Sequence, residues 1–390
     1  MAAGHDLGPA RAGAMMGRVA RAALVLALVL AGAELALRVS RYGWPRAILG
    51  AWSPAPEWER LRRLGADGDP ELVPGGAAAW SLGPGEPVVR YRLNSLGLRE
   101  AREVGPRAAP ATCRILALGD AYTFGYGVRA PDAYPQRLQR RLVRRGRFEV
   151  LNAGFPNLNV EQERRRLAAL LPRLHPDVVV VTFDWWNVPL EERTEPKAAK
   201  WSRRWVVANV EEKAARVGAH VALADAALRA ARRALTPSLF PPSGLARELE
   251  PLTLPPDALA GRWERTRAAI AGMAADARAA GARFALVVTP LDLQLDPARN
   301  ALYRDGVLPY PSHGFGDIDY RQARHMPDAL RSFAAGAGLT LLDLTRDFER
   351  AGPARLFLAR DYHLAPAGHG VVARAVAHWI ERDRPCRPVR

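Results

Sequence analysis

Five short apolar runs constrain this chain more than any other feature of its sequence: "RILALG" (114–119), "FEVLNA" (148–153), "DVVVVTF" (177–183), "RFALVVT" (283–289) and "LTLLDL" (339–344). Each is continuous, without the alternation of a strand that keeps one face in water, so each suits a strand buried on both faces. A parallel sheet covered by helices on two sides meets that need. The segments "PQRLQRRLVRRG" (135–146), "VEQERRRLAALLPRL" (160–174) and "ALAGRWERTRAAIAGMAADARAAG" (258–281) carry apolar residues at helical spacing between those runs. Strand and helix in alternation, with right-handed crossovers, give a three-layer α/β/α domain, expected over residues 111–390.

One connection is too long for that scheme. About a hundred residues separate the third run from the fourth, far more than an ordinary crossover needs. Within them "WSRRWVVANVEEKAARVGAHVALADAALRAARRAL" (201–235) reads as surplus helix, so a helical insertion at about 190–257 is expected, as a lid or docking element beside the site. Residues 41–110 are rich in Pro, Gly and Trp and lack a sustained period. They read as a juxtamembrane stalk packing on the main domain, with a short strand in "VVRYRLNSLGLRE" (88–100) that turns at Asn94 to Gly97.

Residues 1–40 read as a leader and signal anchor. The stretch 22–37, "AALVLALVLAGAELAL", is apolar except for Glu34; it is short for a full span but suits a signal peptide or a tilted anchor. The "AGA" at 31–33 offers a cleavage site, yet the helical continuation through Arg38 and the interfacial pair Tyr42 and Trp44 favours an uncleaved anchor. Membrane attachment through 22–37 and export of the main domain to the periplasmic or extracellular face are therefore expected.

Charge suggests another class of partner and then withdraws it. Lys plus Arg number 56 against 40 Asp plus Glu, a net +16. The excess is almost all arginine, however, with Lys197, Lys200 and Lys213 the only lysines, scattered and without a nucleic-acid-binding motif. No nucleic-acid partner is expected. Eight dispersed histidines, no His-Glu-x-x-His, no Cys-x-x-Cys and no phosphate-cradling glycine motif leave no metal and no cofactor expected either.

In an open parallel sheet, ligands bind beyond the carboxyl ends of the strands. Four segments put small or polar residues there: Gly119-Asp120-Ala121, then "NAGFPN" with Gly154, "FDWWNV" with Asn187, and "RDYHLAPAGHGVVA" with Asp361 and His363. In this order they resemble the blocks of the SGNH/GDSL hydrolase family, and "NSLGLRE" (94–100) is similar to the turn before the first block in its membrane-anchored bacterial members. The resemblance spans roughly 88–380 and implies a flavodoxin-like parallel sheet. It makes His363 the general base, Asp361 the carboxylate that orients it, and Gly154 and Asn187 the oxyanion-hole donors, with Asp120 a structural acceptor at the turn. The position of the nucleophilic serine is occupied by Ala121, and Val188 follows Asn187 where relatives commonly carry Asp. Thr123 and Tyr122 are poor substitutes, the first drawn to backbone groups and the second a weak nucleophile unless its pKa is lowered. His369 reads as a packing residue of the closing helix.

The implied function is an esterase or acyl-transferase-like domain acting at the cell envelope on an acylated glycan or lipid, impaired or inactive through Ala121. The alternative is a non-catalytic protein that binds an acyl or glycan ligand or scaffolds an envelope complex. Cys113 precedes the first strand, and Cys386 follows a closing helix that runs back to the same end of the sheet; the two are expected to meet in a disulfide.

Overall fold

The computed structural model describes residues 9–42, 61–64, 70–80, 88–106, 111–189, 249–259, 261–299, 320–323, 325–359 and 361–386. The expected insertion, up to residue 248, and the stalk segments 43–60, 65–69, 81–87 and 107–110 lie outside the described residues.

Helix α1 (Pro9–Tyr42) runs for 34 residues, well beyond the apolar core seen in sequence. Its window Arg18–Leu37 is 20 residues of apolar helix. At 1.5 Å per residue that is ~30 Å, the thickness of a bilayer's hydrocarbon core. By length and composition α1 is thus able to cross a membrane.

A second compact unit holds the other described residues. Two small antiparallel pairs come first in its chain order: β1 (Arg62–Leu64) with β2 (Pro70–Leu72), and β3 (Ala77–Trp80) with β4 (Val89–Arg92). Then come β5 (Cys113–Leu118), α2 (Ala121–Phe124), α3 (Tyr134–Leu142), β6 (Phe148–Asn152), α4 (Val160–Leu174) and β7 (Val178–Phe183). After the insertion follow α5 (Arg262–Ala279), β8 (Arg283–Val288), α6 (His325–Gly336), β9 (Thr340–Asp343), α7 (Thr345–Ala351) and α8 (Pro366–Asp383). Strands β5 to β9 form one sheet in the order β6-β5-β7-β8-β9, parallel at every pairing, which is the flavodoxin-like order expected.

Local chemistry sets these boundaries. Every residue of β5 and β7 is buried, as continuous apolar runs require of central strands. Helix α4 starts at a capping box in which Gln162 N donates to Asn159 Oδ1 and Asn159 N donates to Gln162 Oε1. Two helical expectations need correction. The 258–281 segment breaks at Gly261, whose φ of 84° separates a 3-10 turn (Pro256–Leu259) from α5. The segment 135–146 is helical only to Leu142, beyond which Val143 closes the last turn.

The segment 88–106 clamps the sheet's active end. In β4, Val89 and Tyr91 point inward and Arg90 and Arg92 outward, and they continue into the turn at Asn94, whose Oδ1 accepts from the N–H groups of Leu96 and Leu98. That turn delivers Arg99 into the interior. Its guanidinium donates to the carbonyls of Phe124, Gly125 and Val128 just past α2 and lies over the rings of Tyr91 and Phe124. A second core of Leu61, Leu72, Val89, Tyr91 and Leu93 packs with Ala121, Phe124, Tyr126, Phe155 and Leu158. At the opposite pole Cys113 and Cys386 form the expected disulfide, with Cα atoms 5.6 Å apart.

Candidate active site

Ala121 lies where β5 gives way to α2. Gly119 makes the turn possible: its φ is +145°, and a Cβ there would lie 2.3 Å from Thr123 Oγ1 and 2.8 Å from the Thr182 carbonyl. Asp120 then caps α2, its Oδ1 accepting from Tyr122 N at 2.8 Å. The next side chain, on Ala121, is a buried methyl group.

The fourth block stands opposite. His363 Nδ1 lies 2.5 Å from Asp361 Oδ1, and the same oxygen accepts from the His363 backbone N–H at 2.8 Å. The expected base and its orienting carboxylate are thus joined. Among the described residues His363 Nε2 has no hydrogen-bond partner. The imidazole is enclosed by Tyr362, stacked at 4.4 Å between centroids, Tyr126 at 4.5 Å and Tyr122 at 6.1 Å. Asp120 lies close enough for the charge of His363 to lower its pKa, against the larger opposing effect of burial. The loop is held from behind by Arg299, which donates to the carbonyls of Leu358 and Asp361 and pairs with buried Asp292 at 2.9 Å.

Neither substitute hydroxyl is offered as a nucleophile. Thr123 Oγ1 donates to the Leu118 carbonyl at 3.2 Å and is wholly buried. Tyr122 Oη donates to the Tyr362 carbonyl at 2.9 Å, and burial among Asp184, Asp292 and Asp120 holds its pKa well above the ordinary range, the reverse of activation.

The two expected oxyanion donors, Gly154 N and Asn187 Nδ2, both make internal hydrogen bonds. Gly154 N donates to Asn152 Oδ1 at 3.1 Å, and a Cβ on Gly154 would fall 2.1 Å from Phe124 N, so this glycine serves the close approach of β6's exit to α2. Asn187 is 0% exposed; its Nδ2 donates to the Leu158 carbonyl and to Glu163 Oε1, both at 3.1 Å, while its Oδ1 accepts from Asp184 N. The side chain ties β7's exit to α4 and leaves no amide hydrogen for a ligand.

Several site residues escaped the sequence reading. Asp184, the first residue past β7, is 1% exposed and caps the following turn through Oδ1, which accepts from Trp186 N at 2.8 Å; its Oδ2 is buried with no hydrogen-bond donor. Burial and the neighbouring Asp120 hold its carboxyl well above the usual range, and burial pushes Asp120 up to about 6. Glu163, Tyr126 and Arg99 belong to the same surroundings. The one available signal was position: Asp184 stands at a strand's carboxyl end, as Asp120 does. His369 is the packing residue expected; its Nδ1 accepts from Tyr134 N at 3.3 Å, linking α8 to α3, and burial lowers its pKa to about 3.

The sequence profile of the GDSL-like lipase/acylhydrolase family matches residues 117–371, from within β5 into α8. No curated protein sequence matches. Solved structures with a similar chain path include a lipase/acylhydrolase from Enterococcus faecalis, with 15% identity, 72% of this chain and 100% of that one covered, and a TM-score of 0.39. Two others are TesA, at 18% identity, 69% and 98% coverage and a TM-score of 0.37, and the psychrotrophic esterase EstA from Pseudoalteromonas sp., at 13%, 70% and 98%, and 0.38.

Proposed function

The chain belongs to the GDSL-like lipase/acylhydrolase family, and from that premise we propose that it is an acyl-ester-binding domain of the cell envelope whose turnover is lost or strongly reduced. One observation carries this reading: the His363–Asp361 pair is assembled with Nε2 unengaged among the described residues, and the position that would present a hydroxyl to it carries the methyl group of Ala121. The imidazole is left with no side-chain oxygen to deprotonate for attack on an ester carbon. The engagement of Gly154 N and Asn187 Nδ2 in internal hydrogen bonds supports the same conclusion, because an oxyanion formed here would lack those two donors.

An acylated glycan or lipid is the proposed ligand. Tyr362, half-buried and stacked on His363, supplies a flat apolar face suited to an acyl chain or a sugar ring. Attachment to a membrane through α1 and export of the main domain complete the proposal. The disulfide supports it, since such a bond persists in an oxidising compartment.

The test is binding without turnover. Full-length protein in detergent is titrated with an acetylated sugar and with a short-chain p-nitrophenyl ester while the His363 ring resonances are followed. The proposal expects saturable shifts with at least one of them and negligible product. Unshifted resonances with both ligands, or rapid ester cleavage by the unaltered chain, would overturn it.

A further inference from the structure

Asp120 and Asp184 form a matched pair. Leu118 of β5 is in register with Val181 of β7, so the two aspartates leave neighbouring strands at the same end of the sheet. Each uses one carboxylate oxygen to cap its own turn, Asp120 Oδ1 on Tyr122 N and Asp184 Oδ1 on Trp186 N, both at 2.8 Å. Asp120 is near enough to act on the Asp184 carboxyl and to favour its protonated form. Asp184 Oδ2 is buried and receives no N–H or O–H from the rest of the described chain.

The charges around the pair do not neutralise it. Glu163 of α4 adds a further buried carboxyl that feels both aspartates, and α2 and α3 bring the neutral phenols Tyr122 and Tyr134. Asp292, beyond Tyr122, is matched by Arg299. Among the described residues, the group able to carry positive charge that acts on Asp120 is His363, which is already paired with Asp361. Two buried carboxylates that act on each other, with no cation between them among the described residues, are not both ionised.

We propose that Asp120 and Asp184 hold one proton between them, carried on Asp184 Oδ2 and donated to Asp120, and that this bridge is a positioning device fixing the Gly119–Tyr122 turn to the end of β7. The assignment of the proton follows from the surroundings. Asp120 accepts from Tyr122 N and feels the charge of His363, so the negative charge is better placed there, and the proton on Asp184 satisfies an oxygen that no N–H or O–H of the described residues reaches, as Glu163 Oε2 is likewise unreached. The consequence for the site is a single buried negative charge beside the imidazole, additional to Asp361 and independent of what occupies position 121. The inference concerns the same site as the ester-binding reading, but its test reads protonation and not ligand, so either can fail alone.

The first measurement needs no variant. Full-length protein labelled with carboxyl-13C aspartate is examined at pH 7 by infrared difference spectroscopy in H2O and D2O, which separates protonated aspartate from Glu163. One protonated aspartate is expected; a spectrum with none overturns the proposal. In Asp184→Asn the band should vanish while the NMR titration midpoint of His363 stays within about 0.3 unit, because the amide donates to Asp120 and the charge count is unchanged. In Asp120→Asn/Asp184→Asn the charge is gone, and the midpoint should fall by about one unit. A fall of that size in Asp184→Asn alone would mean that two charges had been present, and would also overturn it. A role in packing alone would leave the midpoint unmoved in all three proteins.

Discussion

Replacing Arg99 by methionine removes the clamp on the loop that follows α2. Three buried carbonyls lose a charged donor: Phe124 at 2.6 Å, Gly125 at 2.5 Å and Val128 at 2.7 Å. They do not lose equally. The Phe124 carbonyl keeps the Asn152 amide at 3.3 Å, and the Gly125 carbonyl keeps the Val128 N–H at 3.3 Å. Val128 O is left without a replacement, a loss of about 1–3 kcal/mol, and the two weakened carbonyls add roughly 1 kcal/mol each. Relief from burying the guanidinium offsets part of this, and methionine retains most of the packing over Tyr91 and Phe124. A net destabilisation of about 3 kcal/mol is expected, with Arg99→Lys milder because one ammonium reaches fewer of the three oxygens. Urea denaturation of the full-length protein in detergent, followed by tryptophan fluorescence, gives the difference. Equal midpoints for wild type and Arg99→Met would refute the idea that this guanidinium holds the loop.

Three further outcomes are expected. Reducing the Cys113–Cys386 bond, which closes a span of 273 residues, should cost about 5.6 kcal/mol in the chain-entropy account; a melting temperature unchanged by reductant would contradict it. His369, with its folded pKa lowered to about 3 by burial, stays neutral while the unfolded histidine binds a proton below about 6.5. Stability is therefore fully present above that pH and falls by up to roughly 4–5 kcal/mol as pH drops toward 3, a limb that His369→Gln should flatten in acid titrations of stability. If α1 is an uncleaved anchor, the protein should sediment with membranes after a high-salt wash and leave them only in detergent, whereas release by salt or a mature N-terminus near Glu34 would contradict it.

The sheet was legible because its signal is local. Continuous apolar runs such as 177–183 announce burial on two faces, and Asn159 with Gln162 announces the start of α4, so those elements fall within a residue or so of expectation. The small antiparallel pairs were not legible beyond the 88–100 strand, since β1 to β3 are three or four residues long and gain their order from pairing and from packing on Ala121, Phe124 and Tyr126. The site was legible in part for a related reason. Asp361 and His363 are two residues apart and meet through a local turn, as the family resemblance implied. The partners of Asn187 and Gly154 lie in other elements or compete with nearby side chains. Only the folded arrangement shows that Glu163 and Asn152 take those hydrogens.

The central claim is that position 121 lacks an attacking oxygen in front of an assembled base, and Ala121→Ser tests it most directly. The substitution adds one oxygen at a turn already shaped by Gly119 and Asp120, so the fold should be retained. Loss of a nucleophile from a complete serine-hydrolase site costs about 10⁶ in turnover, and each missing oxyanion donor about 10²–10³. With Gly154 N and Asn187 Nδ2 engaged elsewhere, only part of that factor can return. Turnover of short p-nitrophenyl esters and acetylated sugars should rise by at least ~10² in Ala121→Ser and fall back in Ala121→Ser/His363→Ala, because nucleophile and base act as one unit. Wild-type turnover equal to that of the serine variant, or a gain that survives loss of His363, would contradict the account.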